Sequence, residues 1–331
     1  MTKKIIFSSG GTGGHIFPAI NLMKHFSNNG YEVLLVTDIR GSIFLKDHAQ
    51  FRSYIISTDT PSNKNFFRKI FSFITIFFSI IRSIFILRKE KPDLIIGFGG
   101  YVSFPISFSS RFYSIPLVIY ENNLVLGRTN KNLLSLSKKL LLGTDMPINF
   151  PKKYKSKVYQ VGNILRKEII NYSVIEKKNN GKTFSILVLG GSQGAEVFGR
   201  IVPSSIKMLK DKGYIIEINQ QCIKQHKNSL IEFYKKNNIK NNIFDFANNI
   251  LDLIESSDLA ISRCGASTAA ELVNTLTPFI AVPYPHSMDN HQYLNAKYYE
   301  SKGCCWVIEQ DKFSSTNLFN LILEIIKDKK N

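Results

Sequence analysis

The chain is short of acid. Against 43 Lys and Arg it carries only 25 Asp and Glu, a formal charge of +18 over 331 residues. The deficit is uneven: residues 1–165 hold 22 basic and 8 acidic side chains, and residues 166–331 hold 21 and 17. A basic first half calls for an anionic partner, whether nucleic acid, a phosphorylated substrate or an anionic membrane face. Cysteine is also scarce. Cys222, Cys264, Cys304 and Cys305 show no CxxC spacing, which argues against a zinc site or a disulfide framework and for a reducing compartment. No Asp-x-Asp occurs, so the carboxylate pair often presented by metal-dependent nucleotide-sugar enzymes is missing. The opening MTKKIIFSSGG has too short an apolar run for a secretory leader.

What is present suits two packed cores. The length fits two domains of roughly 150 residues, and 44% of the residues are hydrophobic. Strand-like runs at Lys3–Ser8, Glu32–Thr37, Asp93–Gly97 and Leu117–Tyr120 alternate with helical stretches, the first helix from about Phe17 to Ser27. The rhythm restarts after Val161-Gly162-Asn163, with strands at Phe184–Leu189, Tyr214–Asn219, Asp258–Ser262 and Pro278–Val282. This predicts two α/β halves, each a parallel sheet covered on both faces, with strand C-termini turned to a shared cleft.

Three strand-to-helix junctions are rich in glycine: SGGTGGH at 9–15, GFGGYVSFP at 97–105 and GGSQGA at 190–195. Glycines let backbone N–H groups approach an anion, and a helix N-terminus adds positive potential. Neither the P-loop nor the dinucleotide spacing fits the first. Each alone could be a plain tight turn; three together suggest a diphosphate. His15 leaves the first loop as a candidate base or donor. In SRCGASTAAE, Ser267 or Thr268 could cap a helix that begins near Ala266. Glu271, in about its first turn, is either a dipole-friendly surface carboxylate or an acceptor for a ribose diol. In PYPHSMDNHQ, Asp289, His291 and Gln292 could read sugar hydroxyls, or Asp289 could cap a helix. Arg166 in GNILR could stabilise a leaving diphosphate or sit at the surface as a hinge arginine.

Phe66–Lys89 reads FFRKIFSFITIFFSIIRSIFILRK. Its longest uncharged run, Ile70–Ile81, has twelve residues, short of the roughly 20 a span needs. Its apolar residues exceed one helical face, and Arg68, Lys69, Arg82, Arg88 and Lys89 flank them. That fits both a core helix and monotopic attachment to an anionic leaflet. The cationic excess sits with this stretch, not with an aromatic-interleaved basic groove, which argues against nucleic acid.

GGTGGH at 10–15, GGYVS at 99–103, ENNLVLGRTN at 121–130, VGNILR at 161–166, GGSQGA at 190–195, GASTAAE at 265–271 and VPYPHSMDNHQ at 282–292 occur in that order. The set resembles the MurG family of peptidoglycan N-acetylglucosaminyltransferases, from Lys3 to about Gln310. The resemblance implies a glycosyltransferase B-type fold: two Rossmann-like, doubly wound parallel-sheet domains facing a cleft. Residues 1–162 would be the acceptor and membrane-associating domain, and residues 163–331 the donor domain. It implies inverting, metal-independent, cofactor-free transfer of GlcNAc from UDP-GlcNAc to the C4 hydroxyl of MurNAc in lipid I, giving lipid II. The implied partners are UDP-GlcNAc, lipid I, the anionic inner-membrane surface and other cell-wall synthesis proteins, with the enzyme peripheral on the cytoplasmic face.

By the same resemblance, Thr12, Gly13 and Gly14 match the first donor loop, and Asn123 matches the asparagine of a His-Glu-Gln-Asn segment. Arg166 and Ser192 match contacts near the nucleotide and its phosphate. Ala247 aligns with a residue whose backbone reads uracil. Ala266, Ser267, Thr268, Ala269, Ala270 and Glu271 match the segment ending in a ribose-binding glutamate, and Gln292 matches a sugar-reading glutamine. His15 matches a histidine proposed to help deprotonate the acceptor. Gly11, Gly99, Gly100 and Tyr101 are expected at the acceptor pyrophosphate, and Phe66, Phe67, Phe71, Phe77, Phe78 and Phe85 at the membrane. The chain departs from the pattern at Tyr120-Glu121-Asn122-Asn123, at Glu196 and at Ser262-Arg263-Cys264-Gly265. It also ends after one helix-like run, Leu318–Lys327, where the family continues with a further helix. Two other readings stay open: a UDP-sugar transferase of this fold with another lipid acceptor, and a non-catalytic membrane scaffold.

Overall fold

The computed structural model describes residues 2–11, 13–48, 50–59, 65–173, 183–191, 196–247 and 249–328. Thr12 and Ser192 lie outside the described residues. The chain divides into two compact units, Met1–Arg166 and Lys167–Asn331. The division follows Arg166, not Gly162, because the VGNILR segment is fastened to the first unit. Val161 N and Gly162 N donate to Leu142 O at 2.9 and 3.2 Å, and Ile164 N donates to the Tyr120 hydroxyl at 3.1 Å.

The first unit runs β1 (Lys4–Ser8), α1 (Gly13–Asn28), β2 (Glu32–Thr37), α2 (Ile39–Ser42), β3 (Arg52–Ile55), α3 (Phe66–Glu90), β4 (Leu94–Gly97), α4 (Ser103–Ser109), β5 (Leu117–Glu121), α5 (Arg128–Leu133), β6 (Lys139–Leu142) and β7 (Val158–Gln160). Its strands form one parallel sheet, ordered β3-β2-β1-β4-β5-β6-β7. Successive side chains alternate across it. Ile6, Leu34, Ile95 and Ile119 enter one core. Ile5, Phe7, Leu35 and Ile96 enter the other, with Ile16, Ala19, Ile20 and Met23 of α1. Both faces are buried, so the strands read as continuous apolar runs. α1 begins at Gly13, earlier than the Phe17 read from sequence. Gly13 is buried under Phe17, whose ring would lie 3.0 Å from a Cβ there.

The second unit runs α6 (Lys167–Ile170), β8 (Thr183–Leu189), α7 (Glu196–Asp211), β9 (Ile215–Gln221), α8 (Lys227–Lys236), β10 (Lys240–Phe244), α9 (Ile250–Glu255), β11 (Leu259–Ser262), α10 (Ala266–Asn274), β12 (Phe279–Ala281), α11 (His291–Ser301), β13 (Cys305–Val307) and α12 (Ser315–Asp328). Its sheet is also parallel, ordered β10-β9-β8-β11-β12-β13. In each sheet the strand order reverses once, between β1 and β4 and between β8 and β11. Ligands of open parallel sheets bind at such switch points, beyond the strand C-termini.

The helix α3 is amphipathic the wrong way round for a core helix. Its buried residues are Ser72, Ser79, Ser83, Ile86, Leu87 and Glu90. Ser72 Oγ donates to Asp59 Oδ2 at 2.8 Å, and Ser79 Oγ donates to Ser57 O. Phe66, Phe67, Phe71, Phe73, Phe77, Phe78 and Phe85 face outward, Phe67 being 81% exposed. At its C-terminal end, the buried Glu90 carboxylate accepts from Lys4 Nζ (2.9 Å), Arg52 Nη2 (2.8 Å) and the Tyr54 hydroxyl (2.7 Å). These bonds clamp the helix to strands β1 and β3.

Candidate active site

At the switch point of the first unit the two glycine loops touch. Phe98 N donates to Ser8 O at 2.8 Å. A Cβ on Gly10 would strike Val102 Cγ2 at 2.6 Å, and one on Gly100 would meet Gly10 O at 3.4 Å. Gly11, Gly99 and Gly100 hold φ of +70°, +81° and +75°, where a side chain is strained. Glycine is called for here by the Val102 side chain packed on Gly10 and by the left-handed backbone at Gly11, Gly99 and Gly100. His15, in the first turn of α1, lies against Gly99: Cε1 and Nδ1 stand 3.4 and 3.5 Å from where a Cβ would be. Tyr101 follows Gly100 and is half-buried. The structure therefore brings His15, Gly11, Gly13, Gly14, Gly99, Gly100 and Tyr101 to one end of one sheet. One expected donor is already engaged, since Gly11 N donates to Asp38 Oδ1 at 3.1 Å.

The segment after β5 is organised by a carboxylate. Glu121 is buried and accepts from Asn123 N (3.1 Å), Asn123 Nδ2 (3.0 Å), Gly127 N (2.9 Å) and Asn130 Nδ2 (3.0 Å). Those bonds fix Asn123 and the start of α5. Asn122 reaches back to the first loop, its Nδ2 donating to Gly14 O at 3.0 Å. Tyr120 is buried against Phe98, with ring centroids 5.5 Å apart. Burial pushes its phenol well above the ordinary range despite the bond from Ile164 N. Arg166 ends the same unit, its guanidinium carbon 5.3 Å from the centroid of Phe17. The sequence reading singled out Asn123 and missed Glu121, Asn122 and Asn130. The mark was there: a strand ending in an acid, followed by backbone donors and amides.

At the switch point of the second unit, Arg263 N donates to Leu189 O at 3.2 Å. This joins the end of β8, with Gly190 and Gly191, to the loop entering α10. That helix begins at Ala266 with Gly265 as its N-cap residue and no side-chain cap bond. Ser267 and Thr268 are thus inside the helix and do not cap it; the extended Gly265 makes the turn instead. Glu271 is the sixth residue of α10, early in its second turn, and is half-buried. Ala269 and Ala270 are buried and pack the helix inward.

Asp289 does not cap α11. Its backbone is left-handed (φ 50°) and Asn290 holds the N-cap position with no side-chain cap bond. Gln292 pins the preceding loop, its Oε1 accepting from Tyr284 N at 3.0 Å. Ala247 lies half-buried between β10 and α9.

Arg263 is the residue the sequence reading undervalued. Its Nη1 donates to Val282 O (3.0 Å) and Pro283 O (3.2 Å), and its Nη2 to Gln310 Oε1 (2.6 Å). The guanidinium carbon lies 5.2 and 5.4 Å from the ring centroids of Phe198 and Tyr284. All those hydrogen-bond acceptors are neutral, and burial pulls the guanidinium down to about 10. It still carries its full charge at pH 7, a fixed cation at the strand ends of the second unit. A charged residue directly after the apolar strand DLAIS was the available clue.

Residues 5–141 match the glycosyltransferase family 28 N-terminal domain, and residues 185–331 match the family 28 C-terminal domain. A UDP-N-acetylglucosamine--N-acetylmuramyl-(pentapeptide) pyrophosphoryl-undecaprenol N-acetylglucosamine transferase of Pelagibacter ubique is 37% identical, over 100% of this chain and 91% of its own. The enzyme of the same name from Rickettsia canadensis is 35% identical, over 99% and 92%. Among solved structures, Acinetobacter baumannii MurG superposes with a TM-score of 0.78 at 24% identity, over 98% of this chain and 91% of that one. Staphylococcus aureus MnaA, solved with UDP, gives 0.68 at 15%, over 99% and 89%. Two parallel-sheet α/β units of the glycosyltransferase B type, matched at full length by these relatives, make the chain a member of glycosyltransferase family 28.

Proposed function

We propose that the protein transfers GlcNAc from UDP-GlcNAc to the C4 hydroxyl of MurNAc in lipid I, giving lipid II with inversion. The observation that carries this reading is the full-length relation to transferases of that name, joined to glycine-built switch points in both units. The first unit takes the acceptor and the second takes the donor. In the second unit, the Glu271 carboxylate accepts from the ribose hydroxyls, the backbone at Ala247 reads the base, and Gln292 reads the sugar. Arg263 holds positive potential for the diphosphate.

In the first unit, the N-terminus of α1 and the loops at Gly99 and Gly100 face the acceptor pyrophosphate. His15 takes the proton from the attacking hydroxyl. The hydroxyl oxygen bonds to the anomeric carbon as the bond to the diphosphate oxygen breaks, and UDP leaves with the electron pair. Glu121 acts through Asn123 and Asn130, as a positioning residue. Arg166 compensates charge on the departing diphosphate. Binding that strengthens as this charge develops is what lowers the barrier.

The same reading sets the enzyme on the cytoplasmic face of the inner membrane. The support is α3: its serines are spent on the protein, its phenylalanines are left outside, and Arg68, Lys69, Arg82, Arg88 and Lys89 lie along it. An apolar face flanked by cations suits shallow insertion into an anionic leaflet. The test of the reaction is incubation of the purified chain with UDP-GlcNAc and a lipid I analogue, with and without EDTA. GlcNAc transfer that persists under chelation is the expected result; absence of transfer in both arms overturns the proposal.

A further inference from the structure

We propose that Arg40 is a phosphate-binding residue of the acceptor site, its guanidinium held by Asp38 over the first glycine loop to grip the phosphate of a prenyl-linked acceptor. The inference deepens the transfer reaction proposed above and rests on it.

The Asp38 carboxylate does two things at the end of β2. Its Oδ1 accepts from Gly41 N (2.8 Å), which starts α2, and from Gly11 N (3.1 Å), which belongs to the glycine loop. Its Oδ2 takes Arg40 Nε at 2.9 Å and Nη2 at 2.8 Å. One carboxylate thus fixes both the loop and the arginine. The pair points its positive end outward: the Asp38 side chain is 11% exposed and that of Arg40 is 63% exposed. Burial pushes the Asp38 carboxyl up, but the bonds from Gly41, Arg40 and Gly11 outweigh it and hold the group below the ordinary carboxylate range. The anchor therefore stays charged at neutral pH.

Gly11 carries the second part of the argument. Its amide is spent on Asp38, so the loop cannot turn that N–H toward an anion. The positive group on this side of the loop is the Arg40 guanidinium. A Cβ on Gly11 would stand 2.8 Å from Arg40 Nη2, so the guanidinium lies directly on the loop. A tight turn alone explains the positive φ but not that approach. Arg40 Nη1 makes no hydrogen bond among the described residues. Ser9 Oγ, in the same loop, is fully buried and likewise has no partner among them. The ligand's other half is written beside it. Ile39 and Ile43 flank Arg40 and are 73% and 60% exposed. A cation between two exposed isoleucines suits a phosphate that bears a hydrocarbon chain.

That chemistry is shared by a lipid-linked substrate and by a membrane headgroup, and the experiment separates them. Arg40→Gln is compared with the unaltered full chain in three assays. One is steady-state kinetics with a short-chain, water-soluble lipid I analogue and no membrane. The second is calorimetry with farnesyl diphosphate as the probe. The third is partition to vesicles of phosphatidylglycerol and phosphatidylcholine. The expected result is a tenfold or larger rise in acceptor KM, a matching loss of farnesyl diphosphate affinity, and unchanged donor KM and vesicle partition. Asp38→Asn should raise acceptor KM in the same direction, with a melting curve to show that it folds. Unchanged acceptor KM and diphosphate affinity overturn the inference, as does a loss confined to vesicle binding. A wild-type chain that binds farnesyl diphosphate through Arg40 but transfers no sugar would sink the reaction and leave Arg40 standing.

Discussion

Asn122 donates its side-chain amide to the carbonyl of Gly14, 108 residues earlier in the chain, at 3.0 Å. The reason lies in Pro18. In α1 the carbonyl of Gly14 faces residue 18, and proline has no N–H to give it. Asn122 supplies a donor and in doing so fastens the segment after β5 to the first glycine loop. Asn122→Leu keeps the volume and removes the donor. It should cost about 1–2 kcal/mol of stability and raise acceptor KM, checked by urea unfolding and kinetics. A variant with wild-type values in both would show that the bond does not hold the loop.

His15 lies on Gly99 with its ring facing the loop. If it removes the acceptor proton, His15→Ala lowers kcat by about 100-fold or more and leaves donor KM near its starting value. Near-normal turnover would reduce His15 to a packing role.

Glu271 should hold the ribose by charge-assisted hydrogen bonds. Glu271→Ala is expected to raise donor KM by about 1–3 kcal/mol of lost binding, with acceptor KM unmoved. Calorimetry with UDP-GlcNAc gives the same quantity without turnover, and an unchanged affinity removes that role.

Much of this was legible in sequence because buried parallel strands are apolar runs that end abruptly in glycine. IIFS before SGG, DLIIG before FGG and FSILVL before GG all became central strands. Five strands were missed: β6 and β13 are runs of only four and three residues with no glycine-rich loop after them, and the other three are surface strands. β3, β7 and β10 carry few buried side chains, so nothing in their composition marks them. Glu121 was missed for another reason: four donors converge on it from positions 123, 127 and 130, and only the fold closes that ring. The capping roles given to Ser267, Thr268 and Asp289 failed because residue type identifies a candidate cap, while the turn residue decides which position becomes the cap.

On α3, Phe71→Ser, Phe77→Ser and Phe78→Ser combined should weaken binding to anionic vesicles at least tenfold while leaving the melting temperature nearly unchanged, because these rings are exposed. Added salt should weaken vesicle binding of the wild type as well, through screening of the flanking cations. Equal partition of variant and wild type would remove α3 from the membrane face.

Glu90 ties the other end of α3. Burial pushes its carboxyl up, yet the hydrogen bonds from Tyr54 and Lys4 and the charges of Lys4 and Arg52 bring it below the ordinary value of 4.5. A depressed carboxylate stabilises fully above the unfolded value, and the contribution is lost as pH falls through the folded one. Glu90→Gln should therefore cost about 1–3 kcal/mol at pH 7 and show a shallower further loss below pH 4.5. Urea midpoints at pH 7 and pH 3.5 decide it; parallel falls in variant and wild type would deny Glu90 the role.

The most direct measurement is the structure of the product by NMR after reaction of the chain with UDP-GlcNAc and a soluble lipid I analogue. A single new GlcNAc, β-linked to O4 of the MurNAc, is the result expected. An α linkage, attachment at another hydroxyl, or recovery of unaltered acceptor from a folded, UDP-GlcNAc-binding enzyme would contradict it.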